Sequence, residues 1–384
     1  MKNEMIVTKS FAEVVAISVL TLLLAACGGG SMMTPNMPPP VVTNPDFAFV
    51  ANTNSNTISE FEVDTTSGML ISMGTVATGS APEFMAADAS GKFLFVANTK
   101  SNNVSAFQID KMTGGLTAVA GSPFATGAQP EGVALVSTAN LLFVANSAGN
   151  SISAFTFDST SGALSAVAGS PFTGVTAPFG AATDALGRFL YVTNVNSNTV
   201  SAFAINDATG ALTAVSGSPF ATGSTPIGLA ADPEGSFVYV GNHMSDTVSP
   251  FSIDPMRGSL TPVTPLPALN QNCASSCHVN PLRVAIHPRA RLAVAADVGA
   301  NSLSSFMISN GVLTPAAGPV AVGQHPFGAA FDPGGNFVYV VNKLDDTIAA
   351  FSVNTMTGAL TPLANSPFPS GGSEPVAIVI VRPQ

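Results

Sequence analysis

The sequence predicts an all-β protein, a seven-bladed β-propeller with four antiparallel strands in each blade. Three observations carry this expectation: one unit recurs seven times, each copy is punctuated into four strand-length runs, and the two ends of the array complement each other. The composition agrees with them. With 35 Gly, 29 Pro, no Trp, 9% charged and 46% hydrophobic residues, the chain suits short strands joined by tight turns better than amphipathic helices.

The repeat is clearest over residues 178–220. Its anchor Asn recurs at Asn52, Asn98, Asn146, Asn194 and Asn242, then as Asp297, then at Asn342. Spacings of 46, 48, 48, 48, 55 and 45 residues match propeller blades. Within a unit, strand A is a small-residue run after Pro, as in Pro226-Ile227-Gly228-Leu229-Ala230-Ala231. Gly and Ala suit it because the innermost strands converge on one axis. An Asp-Pro-x-Gly turn (Asp232 to Gly235) leads to strand B, Phe237-Val238-Tyr239-Val240. The anchor Asn242 then reads as a turn residue tolerant of left-handed backbone. Strand C alternates from Thr247 to Ile253, and its following turn ends in Gly258, matched by Gly68, Gly114, Gly162, Gly210 and Gly358, where positive φ is expected. Strand D is expected at the outer edge, carrying Ser-Pro-Phe at Ser122, Ser170, Ser218 and Ser366. Proline there guards an edge that has no ladder partner to lose.

Phe47-Ala48-Phe49-Val50 is already a strand B with no strand A before it, while residues 374–380 are a strand A with nothing after it. The ends are expected to complete one blade and close a ring.

The first segment reads as a lipoprotein signal peptide, residues 1–26: Lys2 and Lys9 flank a basic start, residues 14–26 are apolar, and Leu24-Ala25-Ala26-Cys27 forms a lipobox. The apolar run is short of the roughly 20 residues a membrane span needs. Cys27 would carry the lipid, residues 27–46 would be a Gly- and Pro-rich tether, and the propeller would occupy residues 47–384. The expected location is exported and membrane-anchored, on the outer membrane or the periplasmic face in a Gram-negative host. A net charge of −10 with scattered Lys and Arg argues against nucleic acid as a partner. A monomer is expected.

Tyr191-Val192-Thr193-Asn194, with Phe95-Val96-Ala97-Asn98 and Tyr239-Val240-Gly241-Asn242, is similar to the YVTN-type propeller repeat. The longer pattern resembles the seven-bladed lactonase family that includes 6-phosphogluconolactonases, over essentially residues 47–384. The resemblance implies histidines, an arginine and an acid near the channel, with His-x-His at the start of an inner strand. Here the corresponding positions read Glu83-Phe84, Glu131-Gly132, Phe179-Gly180, Ile227-Gly228, Leu282-Arg283 and Phe327-Gly328. His-x-His is absent from all of them.

The channel mouth is therefore the candidate site, with Glu83 and Glu131 on blades 2 and 3 and Arg283 on blade 6. Solvated loop charges are the alternative, because adjacent positions on a strand face opposite ways. Of the four histidines, His325 precedes strand A of blade 7 and is the acid–base candidate. His243 follows an anchor, His287 replaces a turn Asp and His278 lies in an insertion; no metal set is apparent from spacing, and no cofactor is expected. Cys273 and Cys277 in that insertion read as a disulfide, although Cys273 to His278 also resembles a haem-attachment motif with its spacer one residue too long. Two functions follow: a membrane-tethered propeller binding a small ligand or protein partner through its loop face, or a lactone hydrolase acting through Arg283, His325 and Glu83 or Glu131.

Overall fold

The computed structural model describes residues 45–264 and 281–384. The expected signal peptide, Cys27 with nearly all of the tether, and Cys273, Cys277 and His278 lie outside the described residues. Among the described residues there is no helix, and so none long and apolar enough to cross a membrane.

Seven antiparallel sheets form seven blades. The inner strands are Pro375–Val381 for blade 1, then Pro82–Ala87, Pro130–Val136, Pro178–Thr183, Pro226–Ala231, Pro281–Ile286 and Pro326–Phe331. Each packs on the next, and that of blade 7 packs on that of blade 1, so the ring closes. The cause of the small residues is visible at the contacts: a Cβ on Gly132 would lie 2.3 Å from the carbonyl oxygen of Phe179, and one on Gly180 2.5 Å from that of Ile227.

The strand B residues are almost wholly buried, as in Phe93–Asn98 and Phe337–Asn342. They fill the space between neighbouring blades: one cluster joins Phe93 and Phe95 of blade 2 to Phe155 and Phe157 of blade 3. The glycine before strand D has positive φ as expected, +69° at Gly114. Beneath Gly114 lies the ring of Phe47 from the preceding blade, 2.3 Å from where a Cβ would be.

Two expectations are corrected. The anchor Asn is not a turn residue: Asn52, Asn98, Asn146, Asn242 and Asn342 are fully buried. Its side chain faces strand C, where the Asn52 amide donates to Ser59 Oγ at 2.8 Å and to Thr57 Oγ1 at 3.2 Å. The same bonds recur from Asn146 to Ser151 and Ser153 and from Asn242 to Thr247 and Ser249. In blade 6 the direction inverts, and Ser304 and Ser302 donate to the Asp297 carboxylate at 2.5 and 3.3 Å. Ser-Pro-Phe, in turn, does not run inside strand D. In blade 2 strand D is only Leu116–Ala118, Ser122 and Pro123 sit in the turn after it, and Phe124–Ala125 pairs separately with strand C. Proline offers no N–H to a ladder, and here the Ser122 hydroxyl takes the place of a ladder carbonyl, accepting from Ala106 N of strand C at 2.9 Å.

Blade 1 closes as expected, its first strand, Asp46–Asn52, pairing with both Thr57–Val63 and Pro375–Val381. Arg382 clamps the junction with two bonds, Nε to Asp46 Oδ1 at 2.6 Å and Nη2 to Oδ2 at 2.8 Å.

Candidate active site

Among the described residues, six inner strands begin with a Pro whose preceding residue has positive φ: Ala81, Gln129, Ala177, Thr225, His325 and Glu374. Such backbone is costly for these residue types, and a side chain of the previous blade holds it. Asn56 Oδ1 accepts from Ala81 N at 2.7 Å, Asn150 from Ala177 N at 2.8 Å, and Asp346 from Glu374 N at 2.7 Å. The next two residues therefore enter the channel at a fixed bulge, the pairing register shifting between Pro82 and Phe84 and between Pro281 and Val284. At a bulge strict alternation fails. That is why Glu83 and Arg283, at adjacent repeat positions, reach the same place.

Arg283 spans the mouth. From blade 6 its Nη2 donates to the carbonyl oxygen of Glu83 on blade 2 at 3.1 Å. Its guanidinium lies over Phe84 at 3.6 Å from the ring centroid and over Phe327 of blade 7 at 5.2 Å. Burial pulls Arg283 down to about 10, opposed by Glu83 and Glu131. Burial pushes Glu131 up to about 8, with the Glu83 charge adding and Arg283 subtracting. Glu83 is also raised by burial, but Arg283, Lys343 and a bond from Thr53 Oγ1 to its Oε2 at 3.2 Å draw it back. Among the described residues, Glu131 Oε2 and Arg283 Nε are buried without a hydrogen-bond partner, an arrangement a polar ligand would satisfy.

The structure thus brings Glu83, Glu131 and Arg283 together, while His325 stands further out on the rim. Its ring stacks on Phe327 at 6.3 Å, and burial lowers it together with the nearby Lys343 and His243 charges. His287 serves the turn it was read from: Nδ1 accepts from Arg289 N and Ala290 N at 3.0 and 2.7 Å, and Nε2 donates to Gly335 O at 2.8 Å. Among the described residues no three His, Cys, Asp or Glu side chains are placed to hold a metal ion.

Lys343 was missed by sequence reasoning. It pairs with Glu374 at 3.5 Å, lies 5.6 Å from the Phe327 centroid and acts on both Glu83 and His325. Its signal was its place immediately after an anchor, shared by Thr53, Thr99, Ser147, Val195, His243 and Val298, a column in which the repeats differ in chemistry.

Two cavities, of about 490 and 390 Å³, lie at the other ends of these strands, around the A–B turns. The larger is bordered by Asp184 and Asp232, whose carboxylates already accept from turn N–H groups. The mouth, with underused buried charges, is the better place for chemistry.

The sequence model described as "Lactonase, 7-bladed beta-propeller" matches this chain over residues 40–129, 117–224, 180–275 and 219–379. No curated protein matches it. Among solved structures, a "putative 6-phosphogluconolactonase" of Bacteroides fragilis is 24% identical, with a TM-score of 0.75, 90% of this chain and all of the other being covered. The Pseudomonas aeruginosa periplasmic gluconolactonase PpgL is 19% identical with a TM-score of 0.76, over 88% of this chain and 99% of that one. A Lactobacillus plantarum protein is 21% identical with a TM-score of 0.74, over 88% and 99%. At these identities the likeness is one of fold.

Proposed function

Because the chain belongs to the seven-bladed β-propeller lactonase family, we propose that it is a hydrolase that opens a lactone at the mouth of its channel. The observation that carries this reading is the meeting of Arg283, Glu83 and Glu131 from three blades, with buried polar atoms left unpaired. Arg283 holds the lactone carbonyl and the oxyanion that develops there. Glu83, the carboxylate better supplied with cations, takes a proton from the attacking water as its oxygen bonds to the acyl carbon. Glu131, protonated at neutral pH, gives a proton to the ring oxygen as the acyl C–O bond breaks, so a hydroxy acid leaves. Burial raises both carboxyls, and Glu83 has in addition Lys343 and the Thr53 hydroxyl to favour its ionised form, which suits this division.

Assay of the full chain on a panel of lactones tests the reading. Arg283→Ala is expected to lower kcat/KM by roughly 10²-fold or more with the fold intact. The wild type is expected to lose activity as pH rises through about 8, where Glu131 loses its proton, and Glu131→Gln to lose that alkaline limb along with most turnover. Absence of hydrolysis across the panel would return the protein to the other reading, a propeller that only binds a small ligand or partner.

The N-terminal motif supports export and anchoring through a lipid on Cys27. Cys27→Ala is expected to abolish incorporation of labelled fatty acid and release the protein from the membrane fraction. Labelling that survives the change would refute the anchor.

A further inference from the structure

The mouth is divided by chemistry along the ring. Blades 1 to 3 contribute Thr53, Glu83, Thr99 and Glu131. Two of these groups are fixed by the wall itself, Thr53 Oγ1 donating to Pro82 O at 2.7 Å and Thr99 Oγ1 to Pro130 O at 2.9 Å. Blades 4 to 6 present Phe179, Val195, Ile227 and Val298 at corresponding positions, all in one hydrophobic cluster, with His243 of blade 5 the polar exception among them. Phe179 and Val195 are only partly buried, although they stand beside ionisable groups. The Phe179 ring packs edge-on against Phe84 at 5.5 Å, and Phe84 carries the Arg283 guanidinium on its face.

Both cations of the mouth are largely committed, the unpaired Nε of Arg283 excepted. Arg283 is held between two aromatic rings and the Glu83 backbone, and Lys343 is paired with Glu374. A phosphate or a second carboxylate on the substrate would arrive beside Glu83 and Glu131 with only the open Nε of Arg283 to receive it, a group already given to the lactone carbonyl, and binding such a dianion calls for several converging donors. The hydroxyls of a sugar lactone would meet Phe179, Val195, Ile227 and Val298, where they lose water and gain no partner.

We infer that the substrate is an uncharged lactone bearing an apolar arm, its ester group placed among Arg283, Glu83 and Glu131 and its arm against the face of Phe179, Val195, Ile227 and Val298. The inference rests on the hydrolase reading of the same site. Discrimination comes from the apolar sector, where each well-buried carbon of the arm contributes and each hydroxyl is penalised.

The test compares dihydrocoumarin and δ-decalactone with glucono-δ-lactone and its 6-phosphate, using the full chain. The apolar lactones are expected to exceed both sugar lactones in kcat/KM by about 100-fold. Phe179→Ala is expected to shrink that ratio about tenfold and Phe179→Leu to retain most of it, thermal unfolding being followed to establish that each variant folds. Equal or better turnover of either sugar lactone overturns the inference while leaving the hydrolase reading in place. If nothing turns over, the hydrolase reading falls, and the ligand class is decided by which compound raises the melting temperature. Greater protection by δ-decalactone that is lost in Phe179→Ala supports an apolar ligand, and greater protection by a sugar lactone, or none by any, overturns it.

Discussion

Asp297 is the one acid at a position where the other six blades have Asn. Burial holds its carboxyl up at about 7, against the pull of the Ser304 and Ser302 hydroxyls. A raised carboxyl binds its proton more tightly in the folded chain than in the unfolded one, so its contribution is fully present below the unfolded value of 3.8 and is lost as pH rises through about 7. Asp297→Asn supplies the amide donor used elsewhere and removes the charge. It is expected to stabilise the protein by about 1 to 3 kcal/mol at pH 8 and to change little at pH 4, which thermal unfolding at the two pH values will show. The anchor's repetition was plain in the sequence, but its role was not: an Asn ahead of a turn looks the same whether its amide faces solvent or the hydroxyls of Ser59 or Ser153. The converging charges were legible one by one, at Glu83, Glu131 and Arg283. Their meeting depends on a bulge that residue types do not announce.

At the scale of a strand and its turns, the chain relies on contacts made to the neighbouring blade. Gly114 combines a φ of +69° with the Phe47 ring directly below it, whereas a Cβ on its neighbour Gly115 would meet only Thr113 Oγ1 at 3.5 Å. Gly114→Ala is therefore expected to cost about 2 to 3 kcal/mol and Gly115→Ala to stay within about 1 kcal/mol, compared by urea unfolding. Positive φ here was readable because glycine recurs at this turn in nearly every blade. The capping of each inner strand by Asn56, Asn150 or Asp346 was not, because donor and acceptor sit about 25 residues apart and belong to different blades. The split outer edge was misread for a related reason. Ser-Pro-Phe marks an edge correctly but cannot show that a serine hydroxyl has taken the place of a backbone partner.

For the whole molecule, closure is the decisive feature. Pro375–Val381 supplies blade 1 with its inner strand and packs against the inner strands of blades 2 and 7. Removing residues from Glu374 onward is expected to lower the melting temperature of the entire ring in a single broadened transition. Arg382→Ala, which loses only the half-exposed clamp on the buried Asp46, is expected to cost about 1 to 3 kcal/mol, much of it from leaving that carboxylate unpaired. Truncated protein melting like the full chain would show that closure is dispensable. That the ends would meet was evident from their complementary phases, since a strand B without its strand A has no other partner to take.

The seam also sets an order in time. A ribosome delivers blades 2 to 7 in sequence, yet the ring's first blade waits for residues 375–381, which emerge after every other part of the ring. Arg283 reaches across to Glu83, and both stand on inner strands that come to rest only when the seam shuts. The meeting of Arg283 with Glu83 is therefore expected only after residues 375–381 have taken their place in the ring.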